Sequence, residues 1–301
     1  MSKTQRKTRH QAVEALSLCA SPRTTLADWA ACLSDEIVNG GDLDSPIDEF
    51  YSKHEGLTSL SGLIGPSLRD ELAPVLADQL LLGYVSATEL YFRRLLAAAA
   101  KICPDVRRLA RDVEISFGAL DFYPRAEIEY SLTEKVTLTE QGKVKALLEA
   151  RFGVIVNQHP DLERAIEQFE TLCNLRHALV HSGGVVNSRN AKNLGHESSR
   201  SGCRVQLGPG ELQLAASVCM DLVRAAHAEV GKHIFWRWVV SGHLKGNRSR
   251  DRSKITQYAG VFLSKRDAGD SATSTTDEMH ALIKTVRADI ELSKLKAALA
   301  S

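Results

Sequence analysis

The chain has 301 residues, of which 44% are hydrophobic, and 38 basic side chains stand against 37 acidic ones for a formal net charge of +1. That balance excludes a partner chosen by bulk charge, while the apolar fraction is ample for a buried core. The cysteines Cys19, Cys32, Cys103, Cys173, Cys203 and Cys219 are scattered with no CxxC pair, which excludes a zinc ribbon or a thioredoxin-like centre and fits reduced thiols. The basic N-terminus is not followed by an apolar core, so no secretory signal is expected. The most apolar run, Leu80 to Ala100, is broken by Glu89, Arg93 and Arg94 and reads as a buried helix, not a membrane span. A soluble, cytoplasmic protein with no membrane partner is the expectation.

In chain order, residues 24–63 mix short helical stretches with turn clusters such as Asn39-Gly40-Gly41-Asp42, and residues 1–65 read as an N-terminal helical extension. A long helix is expected from Ser67, after Pro66, to the residue before Pro104, with Pro74 a candidate break. Leu80, Leu81, Tyr84, Ala87, Tyr91, Leu95 and Ala98 recur near a 3.6-residue period and define its core face. Ile128, Tyr130 and Leu132 alternate with polar residues, which suits a short strand or hairpin. Helical spacing returns at Gly142–Phe152 and again from Pro160, with Leu162, Ile166, Phe169, Leu172, Leu175 and Leu179 facing inward and Gly183-Gly184 as the stop.

Residues 185–201 read as a polar loop, Cys203 to Leu207 as one short strand, and Glu211 to about Val240 as a last long helix. These elements give residues 66–240 as a mostly α domain, a bundle of about four long helices with a short β element. Residues 241–301 read as a basic linker and a helical tail, with Met279, Leu282, Ile283, Val286 and Ile290 on one face. The two basic stretches, MSKTQRKTRH and Leu244 to Lys254, suit either solvated segments or phosphate contacts. In the second, Lys245, Arg248, Arg250 and Arg252 are the candidate RNA-binding residues.

The chemistry concentrates in RHALVH, Arg176 to His181. Arginine is always protonated and grips a phosphate through two parallel hydrogen bonds, while histidine exchanges a proton near neutral pH. Together they form a minimal phosphodiester-cleaving pair that needs no metal. His177 and His181, four apart, share one helix face. Arg176 lies roughly 140° around an ideal helix from His181. Two copies about a two-fold axis, or a bend at the helix end, would close the pair; the geometry favours a dimer without requiring it. The helix dipole favours a cationic His181 and Arg176 opposes it, so the direction of its titration stays open.

Two other readings compete. Arg176 and the histidines suit helix capping or satisfaction of buried polar groups. Cys173, His177 and His181, spaced i, i+4, i+8, suit a zinc site, although Ala178 stands where a zinc protease needs its glutamate.

The stretch ERAIEQFETLCNLRHALVHSGGVVN resembles the signature helix of HEPN domains, in the branch often called RiboL-PSP-HEPN. LLLGYVSATELYFRRLLAAAA resembles that family's first helix, with Glu89 in its apolar face, and the likeness spans about Pro66 to Val240. The resemblance implies a helical dimer whose Arg-polar-x-x-x-His motifs meet in a shared cleft and cut RNA without metal or cofactor, leaving a 2′,3′-cyclic phosphate. It makes Arg176 the stabiliser of phosphate charge, His181 the acid, base or orienting group, and His177 a supporting residue. Glu89 is a weaker candidate, as a partner of Arg176. The context implied is a toxin or effector of a bacterial toxin–antitoxin or antiphage system, held silent by a regulatory partner protein or by a conformational constraint. The rival is a non-catalytic HEPN-like module that binds RNA, a nucleotide or a protein.

Overall fold

The computed structural model describes residues 45–62, 64, 72–123, 125, 127–186, 188–194, 203–268 and 278–290, all within the unit Asp42–Ser301. The readings for MSKTQRKTRH, for residues 24–44 with their Asn39–Asp42 turn, for the helix start at Ser67, for residues 195–202 and for the tail past Ile290 lie outside the described residues. The chain is mostly α.

Helix α1, Pro46–Ser61, starts on a Ser45 cap with Pro46 in the first turn. It packs along α2, Leu72–Ile102, the axis of the bundle. Leu80, Leu81, Tyr84, Tyr91 and Leu95 are buried as expected, and so are Val85, Thr88, Phe92, Leu96 and Ala99. A helix apolar on nearly every side belongs inside a core. Pro74 falls in the first turn of the described helix, a position that tolerates its missing N–H, and the stretch before it from Ser67 lies outside the described residues. The chain leaves α2 at Cys103, and Pro104 opens α3, Pro104–Leu109, followed by α4, Phe117–Phe122.

Residues Ile128–Thr133 are a 3₁₀ turn, not the strand or hairpin expected from their alternation. The Ser131 hydroxyl donates to the Ile128 carbonyl at 2.6 Å and Thr133 to Tyr130 at 2.8 Å, local bonds that replace ladder partners. Helix α5, Lys143–Leu147, runs into a π turn at Leu148–Phe152 and ends on Gly153 at a positive φ of 75°. Helix α6, Pro160–Ser182, packs against both α2 and α8, Pro209–Val240. Between α6 and α8 lie β1, Val185–Val186, the short helix α7, Ser188–Asn193, and β2, Cys203–Arg204. The two strands are antiparallel, with Val185 opposite Arg204 and Val186 opposite Cys203.

The segment read as a linker contains α9, Arg248–Phe262, whose Ile255, Tyr258, Val261 and Phe262 enter the main core. Asp251 is the residue that sequence charge counting passed over. It is 1% exposed, and its carboxylate accepts the backbone N–H groups of Lys245, Gly246 and Asn247 at 2.7–3.0 Å. The basic run is therefore wound around a buried anion. Residues 278–290 are helical, with Met279 and Ile283 in the core; Leu282 is exposed, so the apolar face is narrower than the spacing suggested.

Two buried polar groups tie distant parts of the chain together. Asp48 accepts the hydroxyls of Ser45 and Ser264 and the N–H of Lys265, joining α1 to α10, Lys265–Ala268. Burial pushes its carboxyl up, but these bonds outweigh burial and hold it below the ordinary carboxylate value. His227 on α8 meets the Tyr91 hydroxyl at 3.0 Å through Nδ1 and the Phe262 carbonyl at 3.1 Å through Nε2. A carbonyl only accepts, so Nε2 carries the proton and Nδ1 takes the hydrogen bond from Tyr91.

Burial lowers the His227 pKa, against opposing pulls from the Phe262 carbonyl and from Asp48 and Asp267. Below about pH 6.5 the unfolded chain binds this proton more readily than the folded one. The stabilisation at His227 is therefore complete above that pH and fades as pH falls through the lowered folded-state value. His227→Phe strands the Tyr91 hydroxyl and the Phe262 carbonyl and is expected to cost roughly 1–3 kcal/mol at pH 7.5. Urea unfolding at pH 7.5 and 5.5 should show the gap between variant and wild type narrowing at the lower pH.

Candidate active site at the end of helix α6

Helix α6 has its phase set by Leu162, Ile166, Phe169, Leu172 and Cys173, all buried between α2 and α8. It remains α-helical through Ser182 and stops where Gly183 turns left-handed at φ 58°, a conformation that a Cβ disfavours. The N–H groups of Gly183 and Gly184 both close on the Ala178 carbonyl, and the Val205 N–H binds the Gly184 carbonyl at 2.8 Å. Ala178, Val186 and Ala191 form a small second core with Leu194, Cys203 and Val205. The strand pair thus clamps the end of the helix from the side that Ala178 faces.

That clamp decides which side chains remain outside. Arg176 is half-buried, whereas His177 and His181 are exposed. The two rings lie 4.5 Å apart between centroids, tilted by 46°, as the four-residue spacing requires. Val180, the neighbour of Arg176 one turn on and of His177 three residues on, is 45% exposed. Because α6 is unbroken α-helix from Pro160 to Ser182, Arg176 and His181 keep the roughly 140° angular separation that helical geometry sets between them.

Glu89, whose charge like that of Arg176 is felt at Cys173, finds its ion-pair partner on its own helix. Its carboxylate accepts from Arg93 at 3.0 Å and from the Leu138 N–H at 3.3 Å, and among the described residues no ion pair joins it to Arg176. Arg93 in turn donates to the carbonyls of Thr133 and Val136, so the pair fastens the 133–138 segment to α2. Lys245, Arg248, Arg250 and Arg252 are exposed at the start of α9, beyond the C-terminal end of α8. Cys219, beside Cys173 of α6, is roughly 30 Å from that end at about 1.5 Å per residue, so these four cations do not line the Arg176–His181 surface within one chain.

Cys173 does not join His177 and His181 in a metal site. It points into the core beside Cys219, and its thiol is pushed well above the ordinary range, first by burial and then by Cys219, with Arg176 pulling the other way. Zinc takes a thiolate, which this environment opposes. Among the described residues, no group of three His, Cys, Asp or Glu side chains has an arrangement able to hold a metal ion.

Sequence reasoning missed Asp78 and Arg204. Arg204, on β2, lies close enough to pull down the Asp78 carboxyl of α2, while burial pushes it up by more and leaves it raised. Only tertiary structure joins them; the one hint in the sequence was an acid inside an apolar helical run.

No family model matches the chain, and no curated protein or solved structure matches it.

Burial also pushes the Cys219 thiol up to about 12. Both Cys173 and Cys219 should therefore stay unlabelled by iodoacetamide at pH 8 in the native protein and react once urea unfolds it. Peptide mapping that found native labelling of Cys173 would contradict this placement of α6.

Proposed function

We propose that the chain is a metal-independent endoribonuclease of the HEPN type that acts as a homodimer. The observation that carries the reading is the surface at the end of α6 where half-buried Arg176 adjoins exposed His177, Val180 and His181. One chain offers both reactive groups but holds them on different sides of α6. Val180, an exposed apolar residue beside both, would fall within the contact between two copies. About a two-fold axis, Arg176 of one chain then faces His181 of the other.

In that cleft the ribose 2′-hydroxyl attacks the adjacent phosphorus and loses its proton. The bond to the 5′-oxygen breaks as that oxygen gains a proton, leaving a 2′,3′-cyclic phosphate and a 5′-hydroxyl. Arg176 stabilises the charge that builds on the phosphoryl oxygens. His181 moves the proton or orients the hydroxyl, and His177, whose ring lies tilted beside it, supports either role. Asp78 and Arg204 flank the same end of the bundle. Arg204 would add a phosphate contact from the strand pair.

The proposed setting is a toxin–antitoxin or antiphage effector controlled by a partner protein. Because α1 and α9 belong to the core, a partner-docking segment is to be sought in residues 1–44 or past residue 290. Truncations that cut into α1 would test stability instead.

Purified protein incubated with total tRNA and a single-stranded RNA in excess EDTA should release fragments ending in cyclic phosphate. Arg176→Ala and His181→Ala should each lower the rate by roughly 10²–10⁴-fold while leaving the thermal unfolding transition in place. Folded variants that bind RNA more weakly, beside a wild type that never cleaves, would favour the binding module.

A further inference from the structure

At the end of α2 away from Asp78 and Arg204, the junction with α3 borders a cavity of about 540 Å³. Its walls include Ala100, Ile102, Val113, Ile115, Ile128 and Leu132, aliphatic side chains from α2, from the segment after α3 and from the 3₁₀ turn. The volume falls in the range of small-ligand sites, about 300–1,000 Å³. Lys101 stands roughly 35 Å along α2 from Asp78 at about 1.5 Å per residue, so this cavity is separate from the Arg176–His181 surface.

Charge around the cavity is one-sided. Lys101, Arg107, Arg108 and Arg111 line it, with Glu129 the single acid among the lining residues. Arg107 is already committed to the Ala100 and Lys101 carbonyls and to Glu129 at 3.1 Å, and Arg108 to Asp105 at 3.5 Å. Lys101 and Arg111 have no ion pair or side-chain hydrogen bond among the described residues. Apart from Lys101 and Arg111, the polar side chains of the wall are spent: the Ser131 hydroxyl is bound to the Ile128 carbonyl, and Glu129 to Arg107. A base or sugar would leave its own polar edges unpaired here, at a cost that an aliphatic chain does not incur.

We propose that this cavity binds an aliphatic monoanion of the fatty-acid type, with the chain among the aliphatic walls and the carboxylate between Lys101 and Arg111. The same chemistry could reach the site as a free acid in water or as a chain in an anionic bilayer. Phe117 and Phe122 of α4, about 80% exposed and close in sequence to Ile115, give the bilayer a separate apolar contact. The free acid is the source that the cavity itself favours.

Calorimetric titration of the full chain with sub-micellar sodium dodecanoate tests this, beside butanoate and beside phosphatidylcholine vesicles with and without phosphatidylglycerol. One dodecanoate should bind per chain, and butanoate should give no saturable signal. Lys101→Gln/Arg111→Gln should weaken dodecanoate binding about tenfold or more. Ile115→Trp, which fills the cavity, should do the same, and Arg176→Ala/His181→Ala should bind as wild type. Absence of saturable dodecanoate binding to the wild type would overturn the proposal. So would binding unchanged in both cavity variants, or vesicle binding without binding of the free acid.

Discussion

The rotational phase of α6 is the constraint on which the candidate site depends. Phe169, Leu172 and Cys173 are buried in the core, and the remaining turns of an unbroken helix follow their phase. His177, Val180 and His181 then face outward, and Arg176 sits at the edge of the buried face with its charge felt by Cys173. Burial of apolar area drives that placement. The reactive groups are positioned as a by-product of core packing.

The end of α6 needs a second device. A frayed terminus would let His181 wander, and the left-handed Gly183 with its bonds to Ala178 prevents it. The β1–β2 pair adds weight by packing Val186 onto Ala178. Elsewhere, single buried polar groups do comparable work over longer distances. Asp48 joins α1 to α10, His227 joins α2 and α8 to the end of α9, and Asp251 organises the turn before α9. Each satisfies several donors or acceptors at once, so segments that read as extensions are part of one core.

What could be read from the sequence was whatever period and punctuation encode. Leu162, Ile166, Phe169 and Leu172 gave the face of α6, and Gly183-Gly184 gave its end. The Arg176 and His181 angular separation was a matter of helical geometry, and the unbroken helix keeps it. Partners across the chain were another matter. Ile128, Tyr130 and Leu132 carry an alternation, but Ser131 and Thr133 satisfy local carbonyls and the segment becomes a 3₁₀ turn. Glu89 in an apolar run invited pairing with Arg176, yet Arg93 one turn away on the same helix reaches it first. The basic run near Arg248 concealed Asp251, because counting charge does not show which charge is buried. Asp78 and Arg204 approach only because α6 returns antiparallel to α2.

Arg176 and His181 are proposed to act together across two chains, since an unbroken helix sets them roughly 140° apart within one. The most direct measurement is RNA cleavage in EDTA by Arg176→Ala and His181→Ala proteins, each alone and after the two are unfolded and refolded together. Each should be inactive alone and the mixture should regain cleavage, because a mixed dimer restores one Arg176 opposite one His181. Mixed dimers seen by native mass spectrometry that remain inactive would contradict it.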